Sequence, residues 1–189
     1  DILWFYAWGG MIAFLVHRLK CRWLVPIGVT LIFLTALMTW FAQFSLDTWG
    51  WGDEAHAQNA ANWHPGEEKV AEEVAAYRGS WIEQAKVRTP AAAMFETVMM
   101  IFIGPRVLGL MLIGMALYKS RLITAERNPI TYFLMAVVGI SSGVFLTKLG
   151  VDFNRAHDFH WKKSMLQGMQ FNYFGSILTS LGYVGLVML

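Results

Sequence analysis

Long uncharged apolar runs constrain this chain more than any other feature. Trp23 to Phe44 contains no charged residue. As a helix it would reach about 33 Å, enough to cross the ~30 Å hydrocarbon core of a bilayer. A soluble domain devotes about a quarter of its residues to charge, whereas only 15% of these 189 residues are charged and 56% are hydrophobic. The charges gather in the connections between the apolar runs. A formal net charge of +2 gives no argument for a nucleic-acid partner. The single cysteine, Cys21, excludes an internal disulfide framework.

Five apolar stretches follow: 2–16, 23–44, 91–118, 129–149 and 171–189. The reading is an all-α fold, a polytopic transmembrane bundle of about five spans forming one domain over 1–189. The first stretch reaches only about 22 Å; it reads as the remnant of a longer helix or as a short one anchored at the interface by Trp4, Tyr6 and Trp8. The third is unusually long and is interrupted by Gly104-Pro105-Arg106. It reads as one kinked helix or as two half-helices, with a bend expected at Thr89-Pro90. The fourth contains Gly139, Ser141, Ser142 and Gly143, small residues that let helices approach closely.

Region 45–89 is polar. Its first part, rich in Gly, Asn and Trp, reads as loop. Its second, Glu67 to Arg88, reads as an amphipathic helix on the outer face. Val70, Val74, Tyr77 and Trp81 form its apolar stripe. Arg18, Lys20 and Arg22 follow the first stretch, and Lys119, Arg121 and Arg127 follow the third, whereas region 45–89 has eight acids against four bases. Lys/Arg excess marks cytoplasmic loops, so both basic loops fall inside and region 45–89 outside. The polar connection 150–170 also falls outside.

An ionisable side chain at bilayer depth is a functional candidate by default, which singles out Glu96 and Arg106. On a continuous helix they lie about 15 Å apart, so each needs a partner elsewhere. His157, Asp158 and His160 offer two imidazoles and a carboxylate. Their spacing is loose for a metal site, and no metal or other cofactor is expected. His56 and His64 carry less weight. No nucleotide-binding loop, nucleophile elbow or HExxH motif is present.

Particular strings carry a resemblance. Asp1-Ile2-Leu3 is followed by Tyr6-Ala7 and Gly9; Tyr77-Arg78-Gly79-Ser80 by Glu83-Gln84 and Arg88. Leu108-Gly109-Leu110-Met111-Leu112-Ile113-Gly114-Met115-Ala116-Leu117-Tyr118 leads to Leu122, Thr124, Glu126 and Arg127. In this order they resemble the YeiB family of bacterial inner-membrane proteins, defined by a domain of unknown function (DUF 418). The resemblance implies a middle fragment of a longer protein in the bacterial cytoplasmic membrane. Its partners would be the lipid bilayer and the N- and C-terminal parts of its own chain; the oligomeric state is left open.

Three functions compete. The first is transport of a small or lipid-linked solute, motivated by the Gly104-Pro105 interruption beside Arg106. Arg78, Glu83, Arg88, Glu96 and Arg106 are its candidate substrate-binding residues. The second is a membrane acyltransferase with His157 or His160 as general base and Arg78 or Arg88 holding an anionic head group. The third is a non-catalytic scaffold. Transport ranks first.

Overall fold

The computed structural model describes residues 2–48 and 53–189. Among them every regular element is helical. Helix α1 covers Ile2–Leu15, α2 Cys21–Thr48, α3 Asp53–Trp63, α4 Glu67–Arg78, α5 Trp81–Lys119 and α6 Pro129–Ala156. A π-helical turn at Lys163–Gly168 leads directly into α7, Met169–Met188. Among the described residues, four helices are long and apolar enough to cross a membrane: α2, α5, α6 and the π turn with α7; α1 is a shorter apolar helix. Together they form a helical bundle of about five spans. Its surface is apolar where a soluble protein would be polar. Phe14, Val138 and Phe145 are each more than 60% exposed, as suits side chains that face hydrocarbon.

Several element boundaries differ from the sequence expectations. The third apolar region is one helix, the first of its two readings, but α5 starts earlier than expected and runs unbroken through Pro90 as well as Pro105. Each proline removes one intrahelical donor, but the rest of the hydrogen-bond ladder carries the helix across. The expected helix over 67–88 is two elements. Gly79 ends α4, and Ser80 starts α5 through a capping box with Glu83, which satisfies otherwise orphaned N–H groups. Trp81 therefore belongs to α5, not to the stripe of Val70, Val74 and Tyr77. Part of the expected loop in 45–66 is helical, as the end of α2 and as α3; residues 49–52 lie outside the described residues. The connection between α6 and α7 is also shorter than expected, because α6 continues to Ala156 and helix resumes before Lys163.

Packing divides the bundle into two groups. In the first, α1 and α2 lie against α5, and their core is Ala13, Leu24, Leu112 and Ala116. At the α2–α5 crossing a Cβ on Gly28 would lie 2.7 Å from the Gly109 carbonyl oxygen, and one on Gly109 2.6 Å from that of Gly28. Only glycine allows the two backbones to come that close. At the end of α5, Lys119 Nζ donates to the carbonyls of His17 (2.5 Å) and Leu19 (2.6 Å). That bond ties the α1–α2 turn down and places a cation at the negative end of α5.

The second group is the α6–α7 pair. Asn128 caps α6 by accepting from the Ile130 N–H (2.9 Å), with Pro129 in the first turn. Gly139 and Gly143 on α6 face Gly182 and Gly175 on α7, so the expected small-residue contact is a seam between these two helices. Near their junction the side-chain oxygens of Asn154, Ser164 and Gln170 are buried without a hydrogen-bond partner among the described residues; buried oxygens of this kind are usually met by ordered water.

Candidate functional site

Arg106 joins the two groups. It sits on α5, about 20 Å along the helix from Lys119, and its side chain reaches α7. Nη2 donates to the Tyr173 carbonyl (3.0 Å) and to Ser176 Oγ (2.9 Å). The guanidinium carbon lies 4.0 Å from the centre of the Tyr173 ring, a cation–π contact that offsets part of the cost of removing the charge from water. Tyr173 in turn donates its hydroxyl to the Ile32 carbonyl of α2 (2.8 Å), and Phe174 packs on Phe33 with ring centres 5.4 Å apart. One short stretch of α7 thus touches α5 through Arg106 and α2 through Tyr173 and Phe174.

The guanidinium is only partly used. It has five N–H donors, and Nη2 supplies both bonds; Nε and Nη1 have no hydrogen-bond partner among the described residues. No acidic side chain pairs with it there either. Arg106 lines a cleft of about 270 Å³ between α5 and α7 together with Leu110, Gly114, Ser176 and Ser180. The walls are mainly apolar, with a few polar groups converging near Arg106, as is usual for a ligand site. A cation with free donors, two hydroxyls and, among the described residues, no counter-ion can bind an anion.

The other candidates lie apart from this cleft. Arg88 and Glu96 share one hollow of about 440 Å³ along the first half of α5, with Trp81 at its end. Glu96 is partly buried. Glu83 is committed to the capping box, where its Oε2 accepts from the Ser80 N–H (2.6 Å) and Ser80 Oγ (2.8 Å). Arg78 ends α4, a helix with no buried residue. Its position next to the break at Gly79 separates it from the hollow that holds Arg88.

His157, Asp158 and His160 occupy the turn after α6. The His157 ring lies 4.3 Å from that of Phe153, with Nδ1 2.8 Å from the Phe153 carbonyl oxygen. Asp158 and Phe159 both take left-handed backbone at φ 50, which turns the chain back towards α7. Asp158 and His160 are exposed. Among the described residues no three His, Cys, Asp or Glu side chains converge as a metal site would require. His64 is exposed, and the His56 side chain is outside what is described.

Sequence reasoning singled out Arg106 but not its partners. Tyr173 and Ser176 stand in an uncharged stretch that reads simply as a span. The available signal was the polar series Asn172, Tyr173, Ser176, Thr179 and Ser180 within one apolar run. No protein-family model, curated protein or solved structure matches the chain.

Proposed function

We propose that this chain forms part of a bacterial cytoplasmic-membrane carrier for a small or lipid-linked solute whose anionic group is held by Arg106. The observation that carries this reading is the half-used guanidinium facing the α5–α7 cleft. Insertion scales put a central arginine at roughly 2.5–3.5 kcal/mol unfavourable. The ring of Tyr173 and two hydrogen bonds offset part of that cost, and a bound anion would offset more. The Gly104-Pro105 interruption does not support this reading, because α5 is unbroken; the side-chain geometry at Arg106 does.

The same proposal includes the orientation and the family. The basic connections after α1 and α5 face the cytoplasm and region 45–89 faces outward. There Val70, Val74 and Tyr77 of α4 are each more than 40% exposed, as suits a helix lying on a membrane surface. The YeiB-like strings at Leu108–Tyr118 lie on the part of α5 that packs against α2 and lines the cleft.

The test is anion flux into liposomes containing the full-length protein, with radiolabelled inorganic phosphate, radiolabelled succinate and a head-group-labelled phospholipid as probes. Arg106→Ala should insert normally and lose at least tenfold of the flux of whichever probe the wild type carries. Arg106→Lys should fall between the two, keeping the charge but not the planar fork. Wild-type flux from a well-inserted Arg106→Ala protein overturns the proposal.

A further inference from the structure

The cleft at Arg106 does not stop at α7. Ser176 and Ser180 line it and also line a second, larger groove of about 650 Å³ between α6 and α7. On the α6 side this groove extends from Val144 to Arg155, about 16 Å of helix. The two hollows therefore share one polar edge, with Arg106 at its inner end and the end of α6 at its outer end.

The groove has the chemistry of a path for an anion. Lys148 and Arg155 stand on its α6 wall with one acid, Asp152, between them. Lys148 and Asp152 make only a loose pair, 3.9 Å apart, and both are more than half exposed. With Arg106 at the inner end, three cations face one carboxylate along the combined path. On the α7 wall, Thr179 Oγ1 donates to the Gly175 carbonyl (2.9 Å) and Ser180 Oγ to the Ser176 carbonyl (2.7 Å). Each hydroxyl is thus satisfied by its own helix, and by rotating it can bond a passing polar group instead.

The shape of the groove selects among anions. It is open along its side, and its rim is apolar: Val144, Val151 and Tyr183 are each more than 40% exposed. A small free ion would need a closed pore to keep it from hydrocarbon. An amphiphile would not, because its acyl chains remain outside the rim while its head group lies among the hydroxyls. The N–H groups left free at Nε and Nη1 can each donate to an oxygen of a phosphate, whose charge complements the guanidinium.

Taking the carrier reading as its basis, we infer that the α6–α7 groove is the path by which the phosphate head group of a membrane lipid reaches Arg106. Lys148 and Arg155 attract the phosphate at the outer end. Ser180 and Ser176 pass it across α7, and Arg106 binds it.

The experiment measures movement of NBD-labelled phosphatidylglycerol between leaflets by dithionite quenching, in liposomes that contain the full-length protein. Uptake of radiolabelled inorganic phosphate is followed in parallel. The wild type should move the lipid well above empty liposomes. Ser180→Leu, which fills the shared edge, should slow it at least tenfold, and the double variant Lys148→Glu/Arg155→Glu about fivefold. Ser141→Leu, the same kind of change on α6 outside the groove, should leave the rate at the wild-type level and so separates blockage from misfolding. Arg106-dependent uptake of free phosphate without lipid movement overturns the lipid path and leaves the carrier standing. Lipid movement unaffected by Ser180→Leu also overturns the path, and movement unaffected by Arg106→Ala overturns the carrier itself. Movement of neither probe overturns the lipid path.

Discussion

Helix α7 has two seams, and they are built in opposite ways. Against α6 it is packed backbone to backbone. A Cβ on Gly143 would lie 2.6 Å from the Gly175 carbonyl oxygen, and one on Gly139 2.7 Å from the Gly182 Cα. Against α5 it leaves a cleft, and a Cβ on Gly114, which lines that cleft, would meet nothing within 4 Å. The same residue type marks contact in one place and room in the other. In lipid there is little hydrophobic drive between helices, so dense packing and hydrogen bonds hold them together. The α6–α7 pair has dense packing. The α5–α7 seam has a few polar bonds around Arg106, an arrangement that tolerates a guest.

The largest effect should come from filling the tight seam. Gly143→Leu would push a side chain into backbone on α7 that cannot move away without separating the pair. Overpacking of this kind costs roughly 1–3 kcal/mol and occasionally more. The expected result is a loss of about 3 kcal/mol, read from unfolding in mixed detergent micelles with increasing SDS. An unchanged unfolding midpoint would show that the seam is looser than its glycines imply.

Arg106→Leu probes the open seam and should change stability much less. It removes two hydrogen bonds and the contact with Tyr173, but it also removes a poorly solvated charge, whose replacement by an apolar side chain is often neutral or stabilising. The same unfolding assay should therefore place it within about 1 kcal/mol of the wild type while flux is lost. A drop of more than about 2 kcal/mol would make Arg106 chiefly a structural tie between the two helix groups.

The difference between the seams also explains how much the sequence could reveal. Apolar length and the clustering of charge in connections specify a helical membrane bundle, because the bilayer allows few alternatives. Gly139 and Gly143 announced a close contact, but pairing them with α7 required the partner glycines to be placed in space. Gly104-Pro105 left one helix or two open, since local propensity favours a break there, and the remaining hydrogen-bond ladder carries α5 across it and across Pro90. The start of α5 was legible in principle: Ser80-x-x-Glu83 is a capping-box signature, set beside the helix-ending Gly79. Arg106 stood out because charge is costly at depth. Its partners did not, because a backbone carbonyl, a ring face and a serine on another span leave no mark in the sequence around Arg106.

Gly114→Ala is the inverse of the Gly143 experiment and should have the opposite sign. Nothing opposes the added methyl group, and alanine is favoured over glycine inside a helix by about 0.8–1 kcal/mol. A modest gain in the SDS unfolding assay is expected, up to that amount. A loss comparable to that of Gly143→Leu would mean that α5 and α7 close more tightly than the cleft indicates.

The smallest effect should come from Tyr173→Phe. The ring stays beneath Arg106, so the cation–π contact survives; what is lost is the hydroxyl bond to the Ile32 carbonyl. Hydrogen bonds between membrane helices average about 0.6 kcal/mol, and a loss of that size is expected in the same assay. Coupling to Arg106 gives the sharper result. If the ring is what Arg106 uses, Tyr173→Phe should have the same effect with or without Arg106, because it leaves that contact untouched. Tyr173→Leu removes the ring and should couple to Arg106→Leu. A cycle in which both tyrosine variants couple equally would assign the link to the hydroxyl, and would make the α2–α7 bond rather than the ring the element that positions the guanidinium.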